Sequence, residues 1–194
     1  MKKLAVFCGS SPGASESYIL GAKNLGKEFV KRDITLVYGG ASVGLMGAIA
    51  DTVIEEGGNV IGVMPSFLEK KEIAHKCLTE LIVVDSMHER KTKMSDLADG
   101  FIALPGGPGT MEEYFEIFTW SQLGLHQKPC GLLNINHFFD PLLALFKHMT
   151  KEQFLNEKYL SIAMSDPNPS RLLDQFYAFE PPKVKTYITS KDET

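Results

Sequence analysis

The chain has 194 residues, 44% of them hydrophobic and 23% charged, the composition of one ordinary globular domain with a sizeable core and too short for two full ones. Its formal net charge is −4 and its Lys and Arg residues are dispersed, which argues against a nucleic-acid footprint and leaves small anionic ligands to local sites. Cys8, Cys77 and Cys130 are odd in number and lack C-x-x-C spacing, so neither a disulfide framework nor a thiolate metal site is expected.

Apolar runs alternate with helical patterns from end to end, the signature of βαβ units wound about a parallel sheet. Met1-Lys2-Lys3 is followed by only five strand-like residues before Gly9, too short for a signal-peptide core. No apolar run approaches transmembrane length, so a cytoplasmic protein without membrane contact is expected. Residues 4–8 read as a buried first strand, ended by Gly9-Ser10-Ser11-Pro12-Gly13. Cys8 in this run and Cys130 in a later one read as small core residues. Residues 15–31 carry Tyr18, Ala22, Leu25, Phe29 and Val30 at helical spacing. A second strand over 34–38 is broken by Gly39-Gly40, a helix follows over 44–56, and a third strand over 60–64.

Residues 65–76 show no clear period and read as a loop of the kind that lies over a ligand crevice. A fourth strand is expected over 81–84, and a helix over 87–98 capped by Ser86, with Arg90 and Lys91 in an early turn. Residues 101–104 form a fifth strand, a glycine-rich turn leads into an amphipathic helix reaching Gly124, and 131–133 are the core of a sixth strand. A helix over 138–148, a short last strand over 160–164, a turn at 165–169 and a last helix over 170–179 complete the pattern. The expected fold is therefore α/β, a doubly wound, mostly parallel sheet with helices on both faces. One catalytic domain is expected over 1–180, with a fraying polar tail over 181–194.

The chemistry concentrates in Pro105-Gly106-Gly107-Pro108-Gly109-Thr110-Met111-Glu112-Glu113, read as strand, glycine turn and helix start. Glycines let a backbone approach a ligand and turn its N–H groups toward it, and a helix N-terminus adds partial positive charge, so the turn is a place to hold a phosphate. Glu112 and Glu113 are expected in the helix's first turn, where carboxylates also simply suit the dipole. Adjacent helical residues point roughly 100° apart, so at most one of the pair faces the ligand, and Glu116 shares a face with Glu113. The glycine clusters after strands one, two and five all fall at strand carboxyl ends, where open sheets bind ligands. Ser10 and Ser11 offer hydroxyls there, and Gly39 and Gly40 read as crevice lining.

His88-Glu89-Arg90-Lys91 places cations against a helix dipole, a cost that an anion such as a phosphorylated ligand would answer. No G-x-G-x-x-G or P-loop occurs, the histidines lack metal-site spacing, and no G-x-S-x-G elbow exists. Trp120, with Phe115, Phe118 and Leu123, reads as core or subunit interface.

Pro105-Gly106-Gly107-x-Gly109-Thr110-x-x-Glu113, preceded by Met87-His88-x-Arg90-Lys91, resembles the LONELY GUY (LOG) family of cytokinin riboside 5′-monophosphate phosphoribohydrolases. Cys8-Gly9-Ser10-Ser11, Tyr38-Gly39-Gly40, Val43-Gly44-Leu45-Met46-Gly47 and Trp120-Ser121-Gln122-Leu123-Gly124 match as well, so the similarity runs from the first strand to about Met164. The resemblance implies a Rossmann-like enzyme that hydrolyses the N-glycosidic bond of adenosine-type 5′-monophosphates without cofactor or metal, releasing base and ribose 5-phosphate. It carries over Arg90 and Glu113 as the catalytic pair. Lys91, Gly107, Pro108, Gly109, Thr110, Met111, Glu112, Glu113, Thr119 and Glu72 follow as substrate-binding positions, beside Gly106 of the same turn. It also implies a homodimer joined by the helices after the second and fifth strands.

Three roles stay open for Arg90: holding Glu113 ionised, contacting ribose or phosphate, and assisting the leaving base. The substrate is AMP or an N6-prenylated AMP, with Met87, Met46 and Phe67 as candidates for an N6 pocket. The alternative is a non-catalytic nucleotide carrier or sensor of the same build, which would have no need of Glu113. Many members of the family were formerly labelled lysine decarboxylases, but no lysine is evidently presented for a pyridoxal Schiff base.

Overall fold

The computed structural model describes residues 1–69 and 74–183. Its seven strands are β1 (Lys3–Phe7), β2 (Thr35–Tyr38), β3 (Val60–Pro65), β4 (Glu80–Val84), β5 (Phe101–Ala103), β6 (Cys130–Leu133) and β7 (Ala163–Asp166). They form one sheet in the order β4-β3-β2-β1-β5-β6-β7, parallel throughout. The chain builds outward from β1 to β4, then returns to lay β5 against the other side of β1. The strand order therefore reverses between β1 and β5, and the loops that leave their carboxyl ends diverge there to make a crevice.

Side chains alternate across this sheet because successive Cβ atoms point to opposite faces. Leu4, Val6 and Cys8 enter one core with residues of α1 (Glu16–Lys31), α2 (Gly44–Glu55) and α7 (Pro169–Tyr177). Ala5 and Phe7 enter a second core with residues of α4 (Met87–Leu97), α5 (Pro108–Leu123) and α6 (Asp140–Lys151). Burial on both faces is why β1 and β3 read as unbroken apolar runs. Trp120, 7% exposed, belongs to the second core, which settles its place within the chain's own packing.

Helix boundaries follow local chemistry. Ser15 caps α1 by accepting from the Ser17 amide, and Ser86 caps α4 by accepting from the Glu89 amide at 3.1 Å while the Glu89 carboxylate reaches back to the Asp85 amide. Gly124 ends α5 in the left-handed conformation, φ 80°. Within 65–76, a single helical turn, α3 (Ser66–Glu69), lies where no period was legible.

The last strand is displaced from its expected place. Leu160 lies in a 3-10 helix (Glu157–Ile162), and β7 starts at Ala163 and takes in Ser165 and Asp166, two residues expected in a turn. β7 is an edge strand whose residues are all half-buried, so its pairing with β6, Leu132 to Ser165 and Leu133 to Asp166, sets its bounds rather than an apolar pattern. Similarly, α6 starts at Asp140 rather than 138, because Phe139 before it, at φ −92° and ψ 3°, is outside helical geometry.

Candidate active site

The loops after β1 and β5 are pressed together: the Gly9 amide donates to the Pro105 carbonyl at 3.1 Å, and the Leu104 amide to the Phe7 carbonyl at 2.9 Å. Glycine is needed at this seam, because a Cβ on Gly9 would come within 3.3 Å of the Gly106 Cα. Gly107 and Gly109 differ, since a Cβ on either would meet no protein atom within 4 Å. Packing therefore explains Gly106 but not the next two glycines, whose exposed backbone opens α5. Gly107 is the cap and Pro108 the first helical residue, so the N–H groups of Gly109 and Thr110 have no partner within the helix.

With α5 starting at Pro108, Glu112 and Glu113 fall in its second turn rather than its first. The helix dipole is weak there, so it does not account for either carboxylate. Glu113 turns inward and its Oε1 pairs with Arg90 Nη2 at 3.1 Å, the two side chains only 10% and 11% exposed. Glu112 turns outward, where it and Glu116 hold Lys91 Nζ at 2.7 Å and 3.0 Å. The cations near the start of α4 are thus answered by carboxylates of α5. Glu116 joins the Glu112 face and not the Glu113 one.

Arg90 is fixed on several sides. Its Nε donates to the Val63 carbonyl within β3 at 3.2 Å, and Nη1 approaches Met87 Sδ at 3.8 Å. Gly39 leaves the room for it, since a Cβ there would lie 2.5 Å from Arg90 Nη2. Gly39→Ala is accordingly expected to displace the guanidinium rather than the backbone: melting temperature close to wild type, with turnover reduced by roughly tenfold, read by thermal denaturation beside a steady-state assay. Unchanged turnover would show that the guanidinium position does not matter.

Burial pushes the Glu113 carboxyl above its ordinary value of 4.5, with Arg90 pulling the other way and Glu112 adding to the rise. Burial also lowers the Lys91 ammonium, but its bonds to Glu112 and Glu116 outweigh this and leave it raised.

Two adjoining cavities meet at Ser10, Met46 and Arg90. One, of about 330 Å³, is lined by Cys8, Met87, Gly107, Pro108, Gly109, Thr110, Glu112 and Glu113; the other, of about 490 Å³, is walled by Gly39, Ala41, Val43, Met64 and Leu68. Most of the residues singled out from sequence therefore converge. Gly40 does not line either cavity; its φ of 80° makes it a turn residue, and its carbonyl accepts from the His75 amide. Lys91 and Met111 are half-buried beside the cleft, Thr119 is exposed on the Glu112 face of α5, and Phe67 is exposed while its neighbour Leu68 lines the cavity. Glu72 lies outside the described residues. Cys8, expected as plain core, also lines the cleft, and its place at the end of the first strand, before Gly9, is the signal for it; the Val63 carbonyl, within β3, carries no side-chain signal at all.

A family model described as "Possible lysine decarboxylase" matches residues 46–176. The cytokinin riboside 5′-monophosphate phosphoribohydrolase of Rhodococcoides fascians is 51% identical over 155 residues, 79% of this chain and 78% of that protein. A relative of the same description from Arabidopsis thaliana is 46% identical over 180 residues, 93% of this chain and 83% of that protein. The chain belongs to the LOG family. Among solved structures, the molybdenum cofactor binding protein from Rippkaea orientalis shares the LOG fold, with a TM-score of 0.68 and 21% identity over 91% of this chain and 96% of that one.

The decarboxylase description would call for pyridoxal phosphate, held as a Schiff base on a lysine. No lysine is among the described residues lining these LOG cavities, and Lys91 beside them is held by two carboxylates. The residues present do not fit that group.

Proposed function

We propose that this LOG protein hydrolyses the N-glycosidic bond of N6-modified adenosine 5′-monophosphates, releasing the free cytokinin base and ribose 5-phosphate. The observation that carries the reading is the buried Arg90–Glu113 pair beside the open glycine turn, in a chain whose relatives are named for this reaction. The N–H groups at Gly109 and Thr110 and the start of α5 hold the 5′-phosphate, and that remote binding energy positions the sugar. As the bond from C1′ to the purine nitrogen breaks, its electron pair leaves with the base and positive charge builds on the ribosyl ring. The Glu113 carboxylate stabilises that charge and orients a water, whose oxygen bonds to C1′ and whose proton ends on the base.

Of the roles open to Arg90, its ion pair with Glu113 and its anchorage on Val63 favour holding that carboxylate ionised and in place. Glu113 then has to be deprotonated to act, and its raised value moves the acid limb upward. The expected limb of kcat/KM lies above pH 4.5, measured on N6-isopentenyl-AMP; a limb at or below that pH would contradict the assignment. The same shift fixes the stability sign. The buried acid favours the fold at low pH, and this contribution is lost as pH rises through the raised value.

The apolar wall of Ala41, Val43, Met46, Met64 and Leu68 next to Arg90 suits an N6-prenyl group, so N6-isopentenyl-AMP is the better substrate and AMP the poorer one. Comparing initial rates of base release from the two tests this directly, and equal or reversed rates would remove the prenyl assignment. Lys91, tied to Glu112 and Glu116, braces α4 against α5 and supports the site instead of presenting a free cation. A single catalytic domain over 1–180, a homodimer and a cytoplasmic setting complete the reading. No described helix is long and apolar enough to cross a membrane, and sedimentation of the purified chain reports the dimer.

A further inference from the structure

The cavity that holds Arg90 and Glu113 shares Gly9, Ser10 and Gly107 with another, of about 320 Å³, on the far side of the glycine turn. The walls of this second cavity are Pro12, Tyr18, Leu45 and Phe138, with Ser10 and Ser11 beside them and no charged side chain among its described lining. Tyr18 and Phe138 meet edge to face, centroids 6.0 Å apart at 82°, and Phe138 is backed at 5.1 Å by the buried Phe139.

The chain takes up uncommon backbone to build this wall. Asn136 and His137, both left-handed, present Phe138 at 38% exposure, and Asn134 clamps the turn by donating to Asp140 and accepting from the Phe139 amide, each at 2.7 Å. Gly13, at φ 78°, stands where a Cβ would lie 2.6 Å from the Tyr18 ring. Aromatic faces with hydroxyls and no charge suit a planar, uncharged ring. The volume is near the low end of small-molecule sites, about 300–1,000 Å³, and enough for a ring system. The hydrolytic reading leaves this cavity unused, because sugar and base lie on the Arg90 and Glu113 side.

We infer that it is a second ring-binding subsite, joined to the first at Gly107, beside the phosphate on the Gly109 and Thr110 N–H groups. The protein then also binds phosphodiesters of nucleoside 5′-monophosphates whose second ester carries a planar ring, a dinucleotide being the fullest form. This rests on the 5′-phosphate placement proposed above. The methyl and phenyl esters of AMP carry the same charge and differ only in the ring, so their affinities, measured by calorimetry with AMP alongside, isolate the subsite. The phenyl ester is expected to bind roughly tenfold tighter than the methyl ester, the gain disappearing in Phe138→Ala while hydrolysis of N6-isopentenyl-AMP stays at the wild-type rate. Equal affinities, or a gain that survives Phe138→Ala, overturn the subsite and leave the hydrolytic function standing. If AMP itself does not bind, the phosphate placement falls and the subsite with it.

Discussion

Glu113→Gln is expected to lower kcat by about 10³-fold while nucleotide affinity stays within a few-fold of wild type. The substitution keeps the shape of a side chain that is nearly buried against Arg90 and removes only its charge, the property that the ribosyl transition state uses. Glu112→Gln is the contrast. Its carboxylate is 58% exposed and shares Lys91 with Glu116, so the ammonium keeps one partner and turnover is expected to fall by less than about threefold. Single-turnover base release, with calorimetric binding on the same samples, separates chemistry from affinity. Equal losses at the two positions would mean that the working face of α5 had been misassigned.

Arg90→Ala is the second large effect, an expected loss of about 10²-fold in kcat/KM near neutral pH. Without the guanidinium, the buried Glu113 carboxyl loses the one influence that lowers it most and takes up its proton at a higher pH. The acid limb of the variant should therefore lie above that of the wild type, with part of the loss recovered as pH rises. A uniform loss with an unmoved limb would instead assign Arg90 to direct contact with the ribose, phosphate or leaving base.

Much of the fold was legible because buried parallel strands are written as apolar runs: β1 to β6 fall within a residue or two of their expected places. β7 was not, since Ser165 and Asp166 join an edge strand through backbone bonds to β6 that no side-chain pattern announces. The glycine turn announced itself as a ligand-facing element, yet the division of labour within it is spatial. Gly106 packs against the loop after β1, while Gly107 and Gly109 face open space. The acids show the same limit: i, i+3 spacing linked Glu116 to Glu113, whereas Lys91, reaching across from α4, draws Glu116 to Glu112. Cations at the start of α4 pointed to a phosphorylated ligand, whereas carboxylates of α5 in the same chain answer them.

Incubating the purified, metal-free protein with N6-isopentenyl-AMP and separating the products by chromatography is the most direct test. Free N6-isopentenyladenine and ribose 5-phosphate in equal amounts are the expected result. Tight binding of the nucleotide with neither product formed would contradict the hydrolytic reading and leave a carrier or sensor built on the same cleft.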